Sequence, residues 1–363
     1  MSESNTTNEL AGFAFVSGYA PQGEAGIHVF HYDAARRALT SAGSFAGLPN
    51  PSFLALHPTR PIVYAVNEVE DYDGKKQGAV SALRFDPATA ELTFLGAQPT
   101  LGGAPCNVTV DRSGRFLFVA NYSGGSVAMY PVLPDGGVGA MSDFVQHAGS
   151  SVHPERQSKP YAHQVMLDPT NRRLYVCDLG MDKLLIYGLD FDAGRLRPLG
   201  AVRTHPGAGP RHMRFHPNGR VAYVINELDN TISVLAVDRD GGMRELQVIT
   251  TLPAGYVETS YCADIHITHD GRFVYGSNRG HESIAAFAVD ADSGTLTALG
   301  QAPTGGKWPR NFALLPDESH LIVANQHTND LFLLPRNAER GTLGKATGRI
   351  EASRPVCVVF GAW

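Results

Sequence analysis

Six side chains in this 363-residue sequence could between them bind an anion and move a proton: His163, Arg211, Glu227, Asp264, Arg279 and Arg310. Guanidinium forks match the geometry of a carboxylate or a phosphate. An imidazole or a carboxylate can take a proton from water. What links the six is their place in a repeated phrase. Arg211 follows the proline of Pro-Arg-His-Met-Arg-Phe-His (210–216), and Glu227 ends Val-Ala-Tyr-Val-Ile-Asn-Glu (221–227), with a Pro-Asn-Gly turn between them.

Both halves of the phrase alternate apolar with polar residues, the period of a β-strand, and the turn makes them a hairpin. The opening strand returns at Pro51, Pro105, Ala162, Ala263, Pro309 and Pro355. The second returns at Gly18-Tyr19, Asn67-Glu68, Asn121-Tyr122, Asp178-Leu179, Asn278-Arg279 and Asn325-Gln326. Each set thus has seven members, about 46 to 57 residues apart, a spacing near that of four-stranded propeller blades. The early second strand, Phe13 to Tyr19, has no opening strand before it, and the last opening strand, Val356 to Phe360, has nothing after it. A ring removes both gaps, because the C-terminal strand then completes the blade begun at the N-terminus. The expected fold is all-β: a seven-bladed β-propeller of four-stranded antiparallel blades, one domain over residues 11–363 behind a disordered tail over residues 1–10. A single core of this length would ordinarily split, but a propeller gives each pair of neighbouring blades its own interface.

In such a ring the starts of the opening strands and the ends of the second strands share one mouth. The first set delivers Ser52, Cys106, His163, Arg211, Asp264, Arg310 and Val356; the second delivers Tyr19, Glu68, Tyr122, Leu179, Glu227, Arg279 and Gln326. Repeats that only scaffold should look alike at these places, and these do not. His163, Arg211, Glu227, Asp264, Arg279 and Arg310 gather in repeats four to seven, on one side of the mouth. Three arginines with a carboxylate pair and a histidine suit a small anionic molecule. His212 and His266, on the opening strands, read as core or channel wall, and His212, beside Arg211, is also a candidate for ligand contact.

Two stretches interrupt the regularity. Residues 69–78 are polar and read as an exposed hairpin loop. Residues 146–161 hold His147, His153, Arg156, Gln157 and Lys159, lead into the fourth opening strand, and would hang over the mouth as binding loops do. Turns rich in Asp and Gly separate third from fourth strands, as at Asp238–Gly242 between Thr231–Val237 and Leu246–Leu252. His57, Asp111, Asp168, His216 and His269 share the turn after the opening strand, where a structural role is expected. The recurring Asn67, Asn121, Asn226, Asn278 and Asn325 are also expected to be structural, as turn caps with left-handed backbone.

A net charge of −5 and a pI near 6.3 argue against a nucleic-acid partner. No run of 18 apolar residues suggests a membrane helix, and Met1 to Leu10 lacks the pattern of a signal peptide, so a cytoplasmic protein without a membrane partner is expected. Cys106, Cys177, Cys262 and Cys357 form no CxxC pair, and three of them fall inside predicted strands; they read as reduced core residues rather than zinc ligands or disulfides. No phosphate-binding loop, nucleophile elbow or HExxH is present. Neither a cofactor nor a metal is expected, and the protein should be a monomer or weak dimer.

Gly-Ala-Gly-Pro-Arg-His-Met-Arg-Phe-His-Pro-Asn-Gly (207–219) with Tyr-Val-Ile-Asn-Glu-Leu (223–228) resembles the lactonase family of seven-bladed propellers, which includes 6-phosphogluconolactonases and carboxy-muconate lactonizing enzymes. Ala263-Asp264-Ile265-His266-Ile267, Ser277-Asn278-Arg279, Trp308-Pro309-Arg310-Asn311-Phe312 and Cys177-Asp178-Leu179-Gly180-Met181-Asp182 add to the resemblance, as does Glu155-Arg156-Gln157. It implies an active site at His163, Arg211, Glu227 and a second arginine, Arg279 or Arg310. Many relatives read Pro-His-x-His where this chain has Pro160-Tyr161-Ala162-His163, so the role of a first histidine is lost or passes to Tyr161. The implied reaction is hydrolysis of a small anionic lactone. His163 is the expected base, because imidazole titrates near working pH, with Glu227 as the other choice; Arg211 and Arg310 would hold the anion and Arg279 the oxyanion. Asp264, His212, Gln326 and Tyr122 would join Arg310 in substrate contact. A muconate cycloisomerase, or a propeller that binds a partner without catalysis, would use the same ring.

Overall fold

The structure, a computed structural model, describes residues 12–363; the tail expected over 1–10 lies outside them. Among the described residues the strands form seven four-stranded sheets. Blades 2 to 7 each take four strands consecutive in the chain, with all pairings antiparallel. Blade 1 is composite: Pro355–Gly361 lies innermost against Gly12–Gly18, with Phe13 opposite Gly361, Phe15 opposite Val359 and Ser17 opposite Cys357. The ring therefore closes as the unpaired ends of the repeat require.

Each second strand is buried on both faces, as in Ile62–Asn67 and Val221–Asn226, because a blade is sandwiched between two others. Alternate residues then face opposite neighbours. Tyr223 and Ile225 pack toward blade 6 with Ile265 and Val274, while Ala222 and Val224 pack toward blade 4 with Tyr175 and Cys177. One apolar cluster of this kind fills each of the seven blade interfaces, so the molecule has a segmented core.

Polar side chains near the channel tie neighbouring opening strands together. Asn107 Oδ1 accepts from Val165 N–H (3.1 Å), Gln164 Oε1 from Met213 N–H (2.6 Å) and Asn311 Oδ1 from Val358 N–H (2.8 Å). Further out, Tyr64, Tyr175, Tyr223 and Tyr275 donate from equivalent second-strand positions to Gly136, Gly241, Gly294 and Gly341 carbonyls in the turn of the next blade, at 2.7–3.1 Å.

Several expectations are adjusted. All four cysteines, not three, lie in strands, and all are buried and free. The fourth strand of blade 5 runs Met243–Thr250. The asparagines at the second-strand ends are structural, but not by left-handed backbone: their amides bridge to the third strand, as Asn121 does to Ser126 Oγ (3.0 Å) and Asn278 to Ser283 Oγ (3.2 Å). In the sixth repeat the expected alignment is one residue out. Pro210 pairs with Asn226 and Cys262 with Asn278, so Ala263 stands where Arg211 does, and Asp264 matches His212. Likewise Thr268, not His269, occupies the turn position of His57 and His216: Phe273 N–H donates to its Oγ1, and its Oγ1–H donates to Asp270 Oδ1.

Candidate active site

At the mouth, Glu227 directly follows the second strand of blade 5 and Arg279 ends that of blade 6, while His163, Arg211 and Arg310 are the second residues of the opening strands of blades 4, 5 and 7. A bulge falls at each of those three starts: Ala162 pairs opposite Asp178 and Gln164 opposite Cys177, so His163 is skipped by the ladder, as Arg211 and Arg310 are in theirs. An unpaired bulge residue is free to aim its side chain inward.

The loop over 147–161 is built in rather than draped. His147 Nδ1 meets Asp178 Oδ2 at 2.6 Å, Ser151 Oγ donates to Asp182 Oδ2 (2.6 Å), and the Gln157 amide donates to Asp182 Oδ1 (2.6 Å) and the Leu179 carbonyl (2.9 Å). Gly180 allows the close approach, since a Cβ there would lie 1.9 Å from the Lys159 carbonyl oxygen. The loop thereby carries Arg156 over the mouth, where it pairs with Glu227 and lies over the Tyr261 ring at 5.6 Å.

Glu227 is the hub. One carboxylate oxygen accepts from Arg156; the other accepts from Arg211 Nε (2.9 Å) and pairs with Arg279 Nη2 (2.8 Å). Burial alone would raise its pKa, but Arg279, Arg211 and Arg156 outweigh burial and hold it far below the usual carboxylate range. Glu227 is thus a poor base. Arg211 is spent on the protein as well: its Nη1 donates to the Ala263 carbonyl (2.5 Å) and lies 3.4 Å from His212 Nε2.

His163 packs edge-on against Tyr122, and its Nδ1 is buried without a partner. Burial, then Arg211, His212, Arg310 and Arg279, push its pKa well below the ordinary value. The expectation that it titrates near working pH is therefore corrected: His163 stays neutral. Arg310 differs from the other three arginines. Its guanidinium lies over the Tyr19 ring at 5.6 Å and has neither an ion pair nor a hydrogen bond to another described residue.

These groups surround a cavity of about 250 Å³ lined by Glu68, Cys106, Tyr122, Arg156, His163, Glu227, Tyr261, Arg279, Trp308 and Arg310. His163, Glu227, Arg279, Arg310 and Tyr122 meet there as expected. Arg211 and His212 lie one layer beneath. Asp264 does not reach the cavity: it is buried and its oxygens are taken by His212, His266, Asn311 and Ile265 N–H. Gln326 is not among the lining residues either, its backbone N–H being held by the Trp308 carbonyl.

Sequence reasoning passed over Arg156 and Glu68 as site residues. Arg156 stands in a loop whose length and composition already marked it. Glu68 occupies the same ring as Glu227 but belongs to blade 2, so the gathering of charge in later repeats drew attention away from it. It accepts from Tyr19 Oη at 3.0 Å and closes the far side of the cavity.

A family model described as lactonase, 7-bladed beta-propeller, matches residues 13–360. The chain is 39% identical to the 6-phosphogluconolactonase of Bacillus subtilis strain 168 over 347 residues, covering 95% of this chain and 97% of that protein. It is 33% identical over 326 residues to the 6-phosphogluconolactonase of Formosa agariphila, covering 88% and 91%. Among solved structures, the periplasmic gluconolactonase PpgL of Pseudomonas aeruginosa superimposes with a TM-score of 0.90 at 33% identity, covering 97% of this chain and 99% of that one. With the fold, the closure and the shared mouth in place, the chain belongs to the lactonase family of seven-bladed β-propellers.

Proposed function

We propose that this protein hydrolyses an anionic sugar lactone of the 6-phosphogluconolactone type. The observation that carries the reading is Arg310, a guanidinium at a cavity of lactone size with no ion pair of its own, beside an imidazole kept neutral. Both full-length 6-phosphogluconolactonase relatives support it.

In this reading His163 is the base. It takes a proton from water, and the hydroxide so formed attacks the lactone carbonyl. The tetrahedral oxyanion is met by Arg279, whose positive charge is already fixed in place by Glu227 and by the Tyr261 and Cys262 carbonyls. Collapse breaks the ring C–O bond, and the leaving alkoxide takes the proton back from His163. Arg310 holds the phosphate, with Arg156 beside it at the entrance. Glu227 and Arg211 are the frame that spaces the guanidiniums.

The test is the rate of 6-phosphogluconolactone loss above spontaneous hydrolysis, with gluconolactone and a carboxy-muconate run in parallel. Acceleration of the phosphorylated lactone above the other two is expected, with His163→Ala at least about tenfold slower. No acceleration of either lactone would overturn the reading, and turnover of the muconate alone would replace it with cycloisomerisation.

A further inference from the structure

Beneath the outer cavity lies a second space of about 10 Å³, enclosed by residues that include Glu68, His163, Arg211, His212 and Arg310. That is about the space one water molecule occupies. The two imidazoles on its wall have ring centroids 5.2 Å apart. His163, which lines this space, has a buried and unpartnered Nδ1, and a buried nitrogen in that condition needs a partner from solvent. His212 is fixed from behind, with its Nδ1 2.8 Å from Asp264 Oδ1. Asp264 is in turn immobilised by Ile265 N–H (2.9 Å), Asn311 Nδ2 (2.5 Å) and His266 Nε2 (3.0 Å). An ionised carboxylate only accepts, so the proton of His212 sits on Nδ1 and Nε2 is an acceptor, with Arg211 Nη1 3.4 Å away.

We propose that the inner space is a catalytic water site: one water joins His163 to the His212–Asp264 pair, which relays the proton that the attacking water gives up. This rests on the hydrolytic reading above. When the attacking water loses its proton to His163 Nε2, the proton on Nδ1 passes to the inner water, and that water passes one of its own to His212 Nε2. The hydroxide's electron pair forms the bond to the carbonyl carbon. On collapse of the intermediate the ring oxygen leaves with the bonding pair and regains the proton by the reverse path. The gain is electrostatic. An imidazolium at His163 would face Arg211, Arg279 and Arg310, whereas one at His212 has the Asp264 carboxylate at 2.8 Å to set against Arg211, 3.4 Å from its Nε2, and Arg214. His212 and Asp264 are positioning residues, since neither lines the outer cavity.

Two experiments decide it. A high-resolution crystal structure should show an ordered water within hydrogen-bond distance of His163 Nδ1 and His212 Nε2; a dry inner space would overturn the proposal. Asp264→Asn, nearly isosteric, should lower kcat about tenfold or more while KM stays within about twofold. The dependence of rate on deuterium fraction should bow in the unaltered enzyme, as several protons move together, and become linear in the variant. His212→Gln provides the same readout if Asp264→Asn fails to fold, as judged by circular dichroism. Folded variants that keep kcat, or lose only KM, would overturn the relay. If the unaltered protein opens no lactone, the hydrolytic reading falls, while diffraction still decides the water site.

Discussion

At the scale of single residues, the arginines at the mouth separate into two kinds, and the separation predicts opposite phenotypes. Glu227 pairs with Arg156, Arg211 and Arg279. Glu227→Gln leaves those guanidiniums facing one another in a buried place, and breaking a buried pair from one side costs about 3–5 kcal/mol. A clear fall in the urea midpoint is expected along with loss of activity. Arg310 supports no such pair, so Arg310→Ala should leave the midpoint nearly unchanged and raise KM for a phosphorylated lactone about tenfold, roughly 1.4 kcal/mol. A large loss of stability in Arg310→Ala would contradict this division. The neutral state of His163 carries a pH prediction too. Its folded pKa lies below the ordinary 6.5, as does that of His212, so below pH 6.5 the unfolded chain binds protons that the folded chain refuses. Glu227 acts in the same direction: its folded pKa is depressed from 4.5, so the stability it contributes stands above that value and is lost as pH falls. Urea midpoints should be level above about pH 6.5, decline below it, and decline faster below about 4.5. Greater stability at pH 5 than at pH 7 would refute the assignment.

At the scale of elements, what held the site was partly legible in the sequence and partly not. The repeated hairpin shows which residues end at one mouth, because strand period and turn chemistry are local properties. His163, Arg211, Glu227, Arg279 and Arg310 were found on that basis. Register is less local. Cys262 stands where other repeats have proline or alanine, so the sixth repeat could be slid by one residue without an obvious clash, and Asp264 and His269 were each placed one position out. The contact between Arg156 and Glu227 joins residues 71 positions apart through a loop with no repeat equivalent. No periodicity could reveal it. The anchoring of that loop is testable: Asp182→Asn weakens acceptors for Ser151, Gln157, Gly207 and Gly209, and should lower kcat/KM about tenfold by loosening Arg156. Wild-type kcat/KM in that variant would show that the loop does not set the site. Between blades, Tyr175→Phe and Tyr223→Phe should each cost about 1 kcal/mol and add nearly independently, since they serve different interfaces.

For the whole molecule, the seven interfaces carry separate apolar clusters, and no blade is complete without its neighbours. Ring closure was legible because the sequence begins its repeat with a second strand and ends it with an opening one. Gly12–Gly18 pairs with Pro355–Gly361, as that pattern requires. Truncation before Pro355 removes the inner strand of blade 1 and bares Phe15, Val16 and the Ala313 side of blade 7. Such a chain should be insoluble or bind an apolar dye strongly, and a soluble, cooperatively melting product would count against closure as a source of stability.

The pairing also sets a timetable. During synthesis the partner strand near residue 13 leaves the ribosome early and must wait, one face uncovered, until every other blade has been made. Because the walls of the mouth come from every blade from 2 to 7, no shorter nascent fragment can own a working cavity. Catalysis would begin only after the final strand docks, so a protein fused directly behind Trp363 could delay that docking more than one fused ahead of the ring.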